Sequence, residues 1–187
     1  MKKKGERISN LKSQTSNLKS RISNSDRSDN SQSAIRNLQP KGMVDVSGKR
    51  VTVRTAKAAG SILLGEAAFD ALRRGECPKG DVLATAKVAA IQAVKSTPSA
   101  IPMCHPILIE GIDVDFALDD ANASVAVIVS VKSSGKTGVE MEALHGVAAA
   151  CLTIYDMLKY TGKGMTISRI QLLEKTGGRS GDYKRPD

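Results

Sequence analysis

The chain has 187 residues, 41% of them hydrophobic but only 3% aromatic and none Trp, and its formal net charge is +9. That length suits one domain of ordinary size, with a core built from Val, Ile, Leu, Ala and Met. Three cysteines, at 77, 104 and 151, are too few and too scattered for a disulfide framework or a structural zinc site, and no apolar run approaches the roughly 18–20 residues of a membrane span.

The charge is unevenly spread. Residues 1–42 hold ten Lys/Arg against three Asp/Glu, whereas residues 43–187 hold 18 against 16. The first 42 residues also contain nine serines and no Val, Phe, Tyr or Trp, so they bury too little apolar area to offset chain entropy. They read as a disordered basic leader, 1–42, ahead of one domain, 43–187. An organellar targeting peptide shares this composition, but Glu6, Asp26 and Asp29 count against one. Nucleic-acid contact by the leader lacks an aromatic side chain for stacking and is expected to be nonspecific. Scattered cysteines and the lack of a span point to the cytoplasm, or to an organelle if the leader is a targeting peptide.

Within the domain, Lys49–Ala59 reads as a strand in which Val51, Val53 and Thr55 alternate with Thr52 and Arg54, bounded by Gly48 and Gly60. Ile62–Arg74 reads as a short helix ended by Gly75, and Val82–Lys95 as a buried helix capped by Asp81. Ile107–Leu118 is expected to be a strand with Ile112, Val114 and Phe116 on one face. The turn Asp119-Asp120-Ala121-Asn122 joins it to Ser124–Ser133, whose Val125, Val127, Val129 and Val131 share a face. Glu140–Tyr160 is the longest helix and Met165–Glu174 the last strand. Thr176–Asp187 reads as a Gly-rich loop or mobile tail. This order predicts an α+β, ferredoxin-like α/β sandwich with an antiparallel sheet and helices packed on one face. Abundant alanine in both long helices leaves little apolar bulk, which predicts a further face covered by another subunit.

The chemistry-bearing residues gather in a few places. His105, one of two histidines, lies between Pro102 and Pro106 on a stiff loop and suits proton transfer or anion binding. Its neighbour Cys104 reads as a packed thiol, since no catalytic-triad order surrounds it. Gly135-Lys136-Thr137-Gly138 opens the long helix without the spacing of a P-loop, and free N–H groups there favour an anion. Glu140 and Glu142, two apart, diverge by about 200° around a regular helix. Asp156 and Lys159 share a helix face after largely apolar turns, where burial tunes a lysine toward acid/base work. Lys79, Lys95 and Lys175 add cations near element ends. The sum fits a phosphorylated small molecule held in one polar pocket, and no spacing supports a metal site.

Several motifs then stand in a familiar order: Lys79-Gly80-Asp81-Val82, Cys104-His105-Pro106, Gly135-Lys136-Thr137-Gly138-Val139-Glu140-Met141-Glu142, Leu152-Thr153-Ile154-Tyr155-Asp156-Met157 and Gly177-Gly178-Arg179-Ser180-Gly181-Asp182. Over about 43–183 the chain resembles the molybdenum cofactor biosynthesis family C proteins. The resemblance implies a hexamer built as a trimer of dimers, with active sites between two chains. It implies conversion of 3′,8-cyclo-7,8-dihydroguanosine 5′-triphosphate to cyclic pyranopterin monophosphate with release of pyrophosphate. No tightly bound cofactor is implied, only Mg²⁺ accompanying the substrate phosphates. Catalytic positions fall on Asp156 and Lys159. Substrate-binding positions fall on Lys79, His105, Glu140, Glu142 and Lys175, with Lys136, Met103, Cys104 and Met141 beside them. Arg179 stands where many relatives have Lys, which keeps charge but not geometry.

Overall fold

The computed structural model describes residues 42–186, so the leader expected over 1–42 lies, apart from Gly42, outside the described residues. Chain order is β1 (Thr52–Leu63), α1 (Glu66–Arg74), α2 (Val82–Ala100), β2 (Gly111–Asp119), β3 (Ser124–Gly135), α3 (Glu140–Leu158), β4 (Thr166–Thr176) and β5 (Tyr183–Lys184). The strands form one sheet in the order β2-β3-β1-β4-β5, antiparallel at every pair. The helices α2 and α3 pack against each other and cover one face of it. This is the expected α+β sandwich of ferredoxin-like topology, extended by a short fifth strand. Among the described residues no helix is long and apolar enough to cross a membrane.

The hairpin β2–β3 forms as its alternation predicts. Val125, Val127, Val129 and Val131 are all buried beneath the helices, while Asp113 and Asp115 stay exposed. The Asp119 carboxylate closes the turn by accepting from the Asn122 backbone N–H at 3.2 Å and its side-chain amide at 2.7 Å. The N-cap of α2 is Asp81, whose carboxylate accepts from Ala84 N–H at 2.9 Å.

Strand β1 departs from its reading in its extent. It runs on to Leu63, and α1 begins only at Glu66. Its inward face carries Arg54, Ala56, Ala58 and Ile62, which are buried, while Val53 and, just before the strand, Val51 are exposed. Gly60 lies inside the strand rather than ending it, because α3 crosses it closely. A Cβ at Gly60 would stand 2.6 Å from Cγ1 of Val147. Gly60→Ala should therefore destabilise the fold by about 1–3 kcal/mol through overpacking, read as a lower urea midpoint at unchanged m-value.

Other boundaries move less. Helix α2 continues to Ala100 with Pro98 inside its last turn, and α3 ends at Leu158. The strand β2 begins only at Gly111, although the segment before it is held to β3 by Glu110 N–H donating to Lys132 O at 2.9 Å and by the Ser133 hydroxyl donating to Leu108 O at 2.7 Å. The tail is not a free loop up to Arg185. Gly177 and Gly178, at φ 81° and 96°, turn the chain back, and the Gly177 N–H donates to Asp182 Oδ1 at 2.9 Å. Tyr183 and Lys184 then pair with Lys175 and Glu174 as β5.

Candidate active site

Helix α3 positions the site. Ala143, Val147, Ala150, Cys151, Ile154 and Leu158 recur three or four apart and are fully buried, which anchors the helix to sheet and α2. Burial raises the Cys151 thiol to about 11, so this cysteine packs and does not react. With the helix so held, its two ends present different polar groups.

At the C-terminal end, Asp156 bridges two lysines. Its Oδ2 lies 2.6 Å from Lys79 Nζ and its Oδ1 lies 2.6 Å from Lys159 Nζ. Hydrogen bonds from Lys159 and then Lys79 hold the carboxyl down to about 2. The same contact pushes the Lys159 ammonium above its ordinary value. All three side chains are about half exposed, at 50%, 52% and 52%. The buried setting expected for Asp156 and Lys159 is therefore absent in the subunit: the carboxylate outweighs the slight desolvation of the lysine and keeps it protonated. In this arrangement Lys159 rests as the ammonium, the form that can donate a proton, and the upward shift makes it a weaker acid than a free lysine.

At the N-terminal end lies a cleft of about 720 Å³. Lys49, Arg50, Arg54, Lys136, Lys175 and Arg179 line it against the single carboxylate of Glu140. Six cations facing one acid favour a multiply charged anion. A second cleft of about 420 Å³, on the uncovered sheet face, sets Lys57 and Lys132 against Asp113 and Glu174 and has no such bias. Lys175 Nζ donates to Ser180 Oγ at 2.6 Å and stands 3.7 Å from Glu140 Oε1, which ties β4, the Gly-rich turn and the start of α3 together.

The clearest omission from the sequence reading is Arg54. It is only 8% exposed, lines this cleft, and its Nε has no hydrogen-bond partner. A buried, partly unsatisfied guanidinium is costly in isolation and is suited to the oxygens of a carboxylate or phosphate. Gly178 lies directly over it, and a Cβ there would overlap the guanidinium. The signal available in the sequence is an Arg that alternates with Val51, Val53 and Thr55 and shares its face with Ala56 and Ala58.

The His105 loop sits beside the start of α3. Nε2 of His105 is 2.7 Å from Val44 O, and because a carbonyl only accepts, Nε2 carries the proton. In the neutral ring Nδ1 is then the acceptor. Lys136 likewise binds main chain, donating to Ser47 O at 2.7 Å. These two expected ligand residues thus hold the 43–48 segment in the subunit. Glu142 is 2% exposed, and burial followed by repulsion from Glu140 raises its carboxyl. Burial and then the charge of Glu142 raise the Cys104 thiol, in keeping with a packed cysteine. Met103 and Met141 are exposed at 48% and 40%. Lys95 is exposed on α2.

One subunit therefore brings the expected residues into two groups, not one pocket. Lys79, Asp156 and Lys159 form the first; Lys136, Glu140 and Lys175 form the second. Sixteen residues of helix separate Glu140 from Asp156, about 24 Å at the α-helical rise. Among the described residues no group of three or more His, Cys, Asp or Glu side chains is placed to hold a metal ion.

Fold and side-chain layout define a class: a ferredoxin-like α+β domain with a polycationic cleft at one end of its longest helix and a lysine–aspartate–lysine cluster at the other. The model of the MoaC family matches residues 43–178. Proteins of Bacillus thuringiensis (strain Al Hakam), Bacillus mycoides (strain KBAB4) and Bacillus cereus (strain AH820) are each 51% identical over 145 residues, covering 76% of this chain and 90% of theirs. All three are named cyclic pyranopterin monophosphate synthase. The chain belongs to the MoaC family.

Proposed function

We propose that this chain converts 3′,8-cyclo-7,8-dihydroguanosine 5′-triphosphate to cyclic pyranopterin monophosphate and pyrophosphate; the product is the one in the name of its relatives. The observation that carries the reading is the pairing of a cleft built for several negative charges with a protonated lysine on the same helix. The chemistry needs both. Closing a cyclic monophosphate with loss of pyrophosphate forms a bond from a substrate hydroxyl oxygen to the α-phosphorus and breaks the bond from that phosphorus to the bridging oxygen. The hydroxyl proton passes to a base, and the departing pyrophosphate gains negative charge. Lys136, Lys175 and Arg54 grip the triphosphate and offset that charge. Lys159, oriented by Asp156, delivers protons as the purine-derived ring opens and is rebuilt. His105, through Nδ1, and Glu140 and Glu142 hold the pterin-forming part or relay protons. Lys79 completes the charge around Asp156 and meets the substrate there.

A separation of about 24 Å between the two groups exceeds what one substrate spans within one subunit. We therefore assign the active site to two chains. In an isologous contact, residue i of one protomer meets residue j of its partner and the reverse, so one two-fold axis builds two identical composite sites. A trimer of such dimers gives the expected hexamer. The function is tested by incubating the purified protein with the cyclised GTP derivative. Stoichiometric pyrophosphate and the cyclic monophosphate are the expected products; tight binding with no pyrophosphate would reduce the protein to a binding module.

A further inference from the structure

The last four carbonyls of a helix have no partner within it, and glycine-based turns usually satisfy them. Helix α3 ends differently. Tyr155 O accepts from Lys159 N–H at 2.9 Å, and Leu158 O accepts from Thr161 N–H at 3.0 Å and its hydroxyl at 2.9 Å. The two carbonyls between them are satisfied from across the fold. Asp156 O accepts from Lys79 Nζ at 3.2 Å, and Met157 O accepts from Cys77 Sγ–H at 3.2 Å. A third tie returns the other way, with the Tyr160 hydroxyl donating to Glu76 O at 3.2 Å.

The turn between α1 and α2 is thus tied at residues 76, 77 and 79 to the last turn of α3 and to Tyr160 beyond it. Cys77 is 7% exposed and its thiol has one donor, which it spends on Met157 O. Lys79, by contrast, is a half-exposed side chain with four rotatable bonds, and its exposed ion pair and hydrogen bond to Asp156 restrain it only weakly. What limits its range is the backbone it hangs from. We propose that Cys77 and Tyr160 are positioning residues, whose two hydrogen bonds hold the turn so that Lys79 stays against the carboxylate of Asp156. The catalytic consequence rests on the reading of Lys79, Asp156 and Lys159 as site residues. The geometric claim does not.

The test uses the full chain with Tyr160→Phe, Cys77→Ala and Cys77→Ser, and Lys79→Ala as reference. Tyr160→Phe removes one exposed hydroxyl and should keep the melting temperature near wild type. It and Cys77→Ala should each lower kcat/KM by about three- to tenfold, the value of one hydrogen bond, while Cys77→Ser, which keeps a donor, recovers most of the loss. A second readout is the titration of the Asp156 carboxyl by NMR. The charges facing it are Lys79 and Lys159, so a displaced Lys79 moves its midpoint upward in both damaging variants. General structural damage would also lower the melting temperature, so an upward midpoint at an unchanged melting temperature is the mark of positioning. If Lys79→Ala is strongly impaired while Tyr160→Phe and Cys77→Ala keep wild-type kcat/KM and midpoint, the positioning role is overturned. If Lys79→Ala keeps full activity, the catalytic reading of this cluster fails instead. The Asp156 midpoint then decides the positioning role alone, with no shift overturning it.

Discussion

Lys159→Ala should lower kcat by at least about a hundredfold while the protein stays folded with its assembly unchanged, measured as pyrophosphate release beside sedimentation. The expectation follows from what holds the ammonium charged. Asp156 raises Lys159 above the ordinary lysine range and is itself held down to about 2, so both stay ionised through the working pH range. The resting pair is a proton donor with its counter-ion in place. Arg at the same position keeps the charge but does not release its proton at working pH, so Lys159→Arg should be nearly as inactive as the alanine variant. Activity close to wild type in Lys159→Arg would assign this side chain to charge compensation and remove it from proton transfer. Asp156→Asn takes away the cause of the upward shift, so any alkaline limb that reports Lys159 should move to lower pH in that variant. Acid effects lie elsewhere. A carboxyl depressed on folding stabilises above its unfolded value near 3.8, and that contribution fades as pH falls toward about 2. Rates measured between about pH 5 and 9 lie outside that window.

How far the sequence reveals this arrangement depends on the range of the interactions. The β2–β3 hairpin, the Asp81 cap and the Gly75 stop rest on neighbours in the chain, and each is legible there. Gly60 is not. Its local meaning is a strand end, and its actual role is to admit Val147 from a helix 87 residues later. Arg54 is missed for a related reason. Alternation alone does not say which face turns inward: β1 exposes Val53 and gives its buried face to alanines, Ile62 and one cation that serves the cleft. The contact of Lys79 with Asp156 joins residues 77 apart and has no periodic signature at all. Residue types and motifs mark which side chains matter. They carry no distances, and so they merge into one pocket two groups that the helix α3 holds at its opposite ends.

That separation makes the strongest demand on the proposed reaction, and the proposed site between two chains has a direct test. Lys159→Ala and Lys175→Ala should each be nearly inactive alone, because every composite site in either assembly lacks one of the two lysines. Coexpressed in equal amounts they should recover activity. A site is intact when its Lys159 comes from a chain altered at 175 and its Lys175 from a chain altered at 159. Random pairing gives this with a probability of one half times one half, so about a quarter of wild-type turnover returns whatever the size of the ring. The KM of the recovered activity should match wild type, because the intact sites are unaltered. If both lysines of a site came from one chain, every chain in the mixture would still carry a lesion in its own site. Mixing would then add nothing to the residual rates. A recovery well above background therefore places the cationic cleft of one protomer opposite the Asp156–Lys159 pair of its partner. No recovery from assemblies shown to contain both chains would put the substrate entirely within one subunit, where the length of α3 leaves no room for these residues to act on it together.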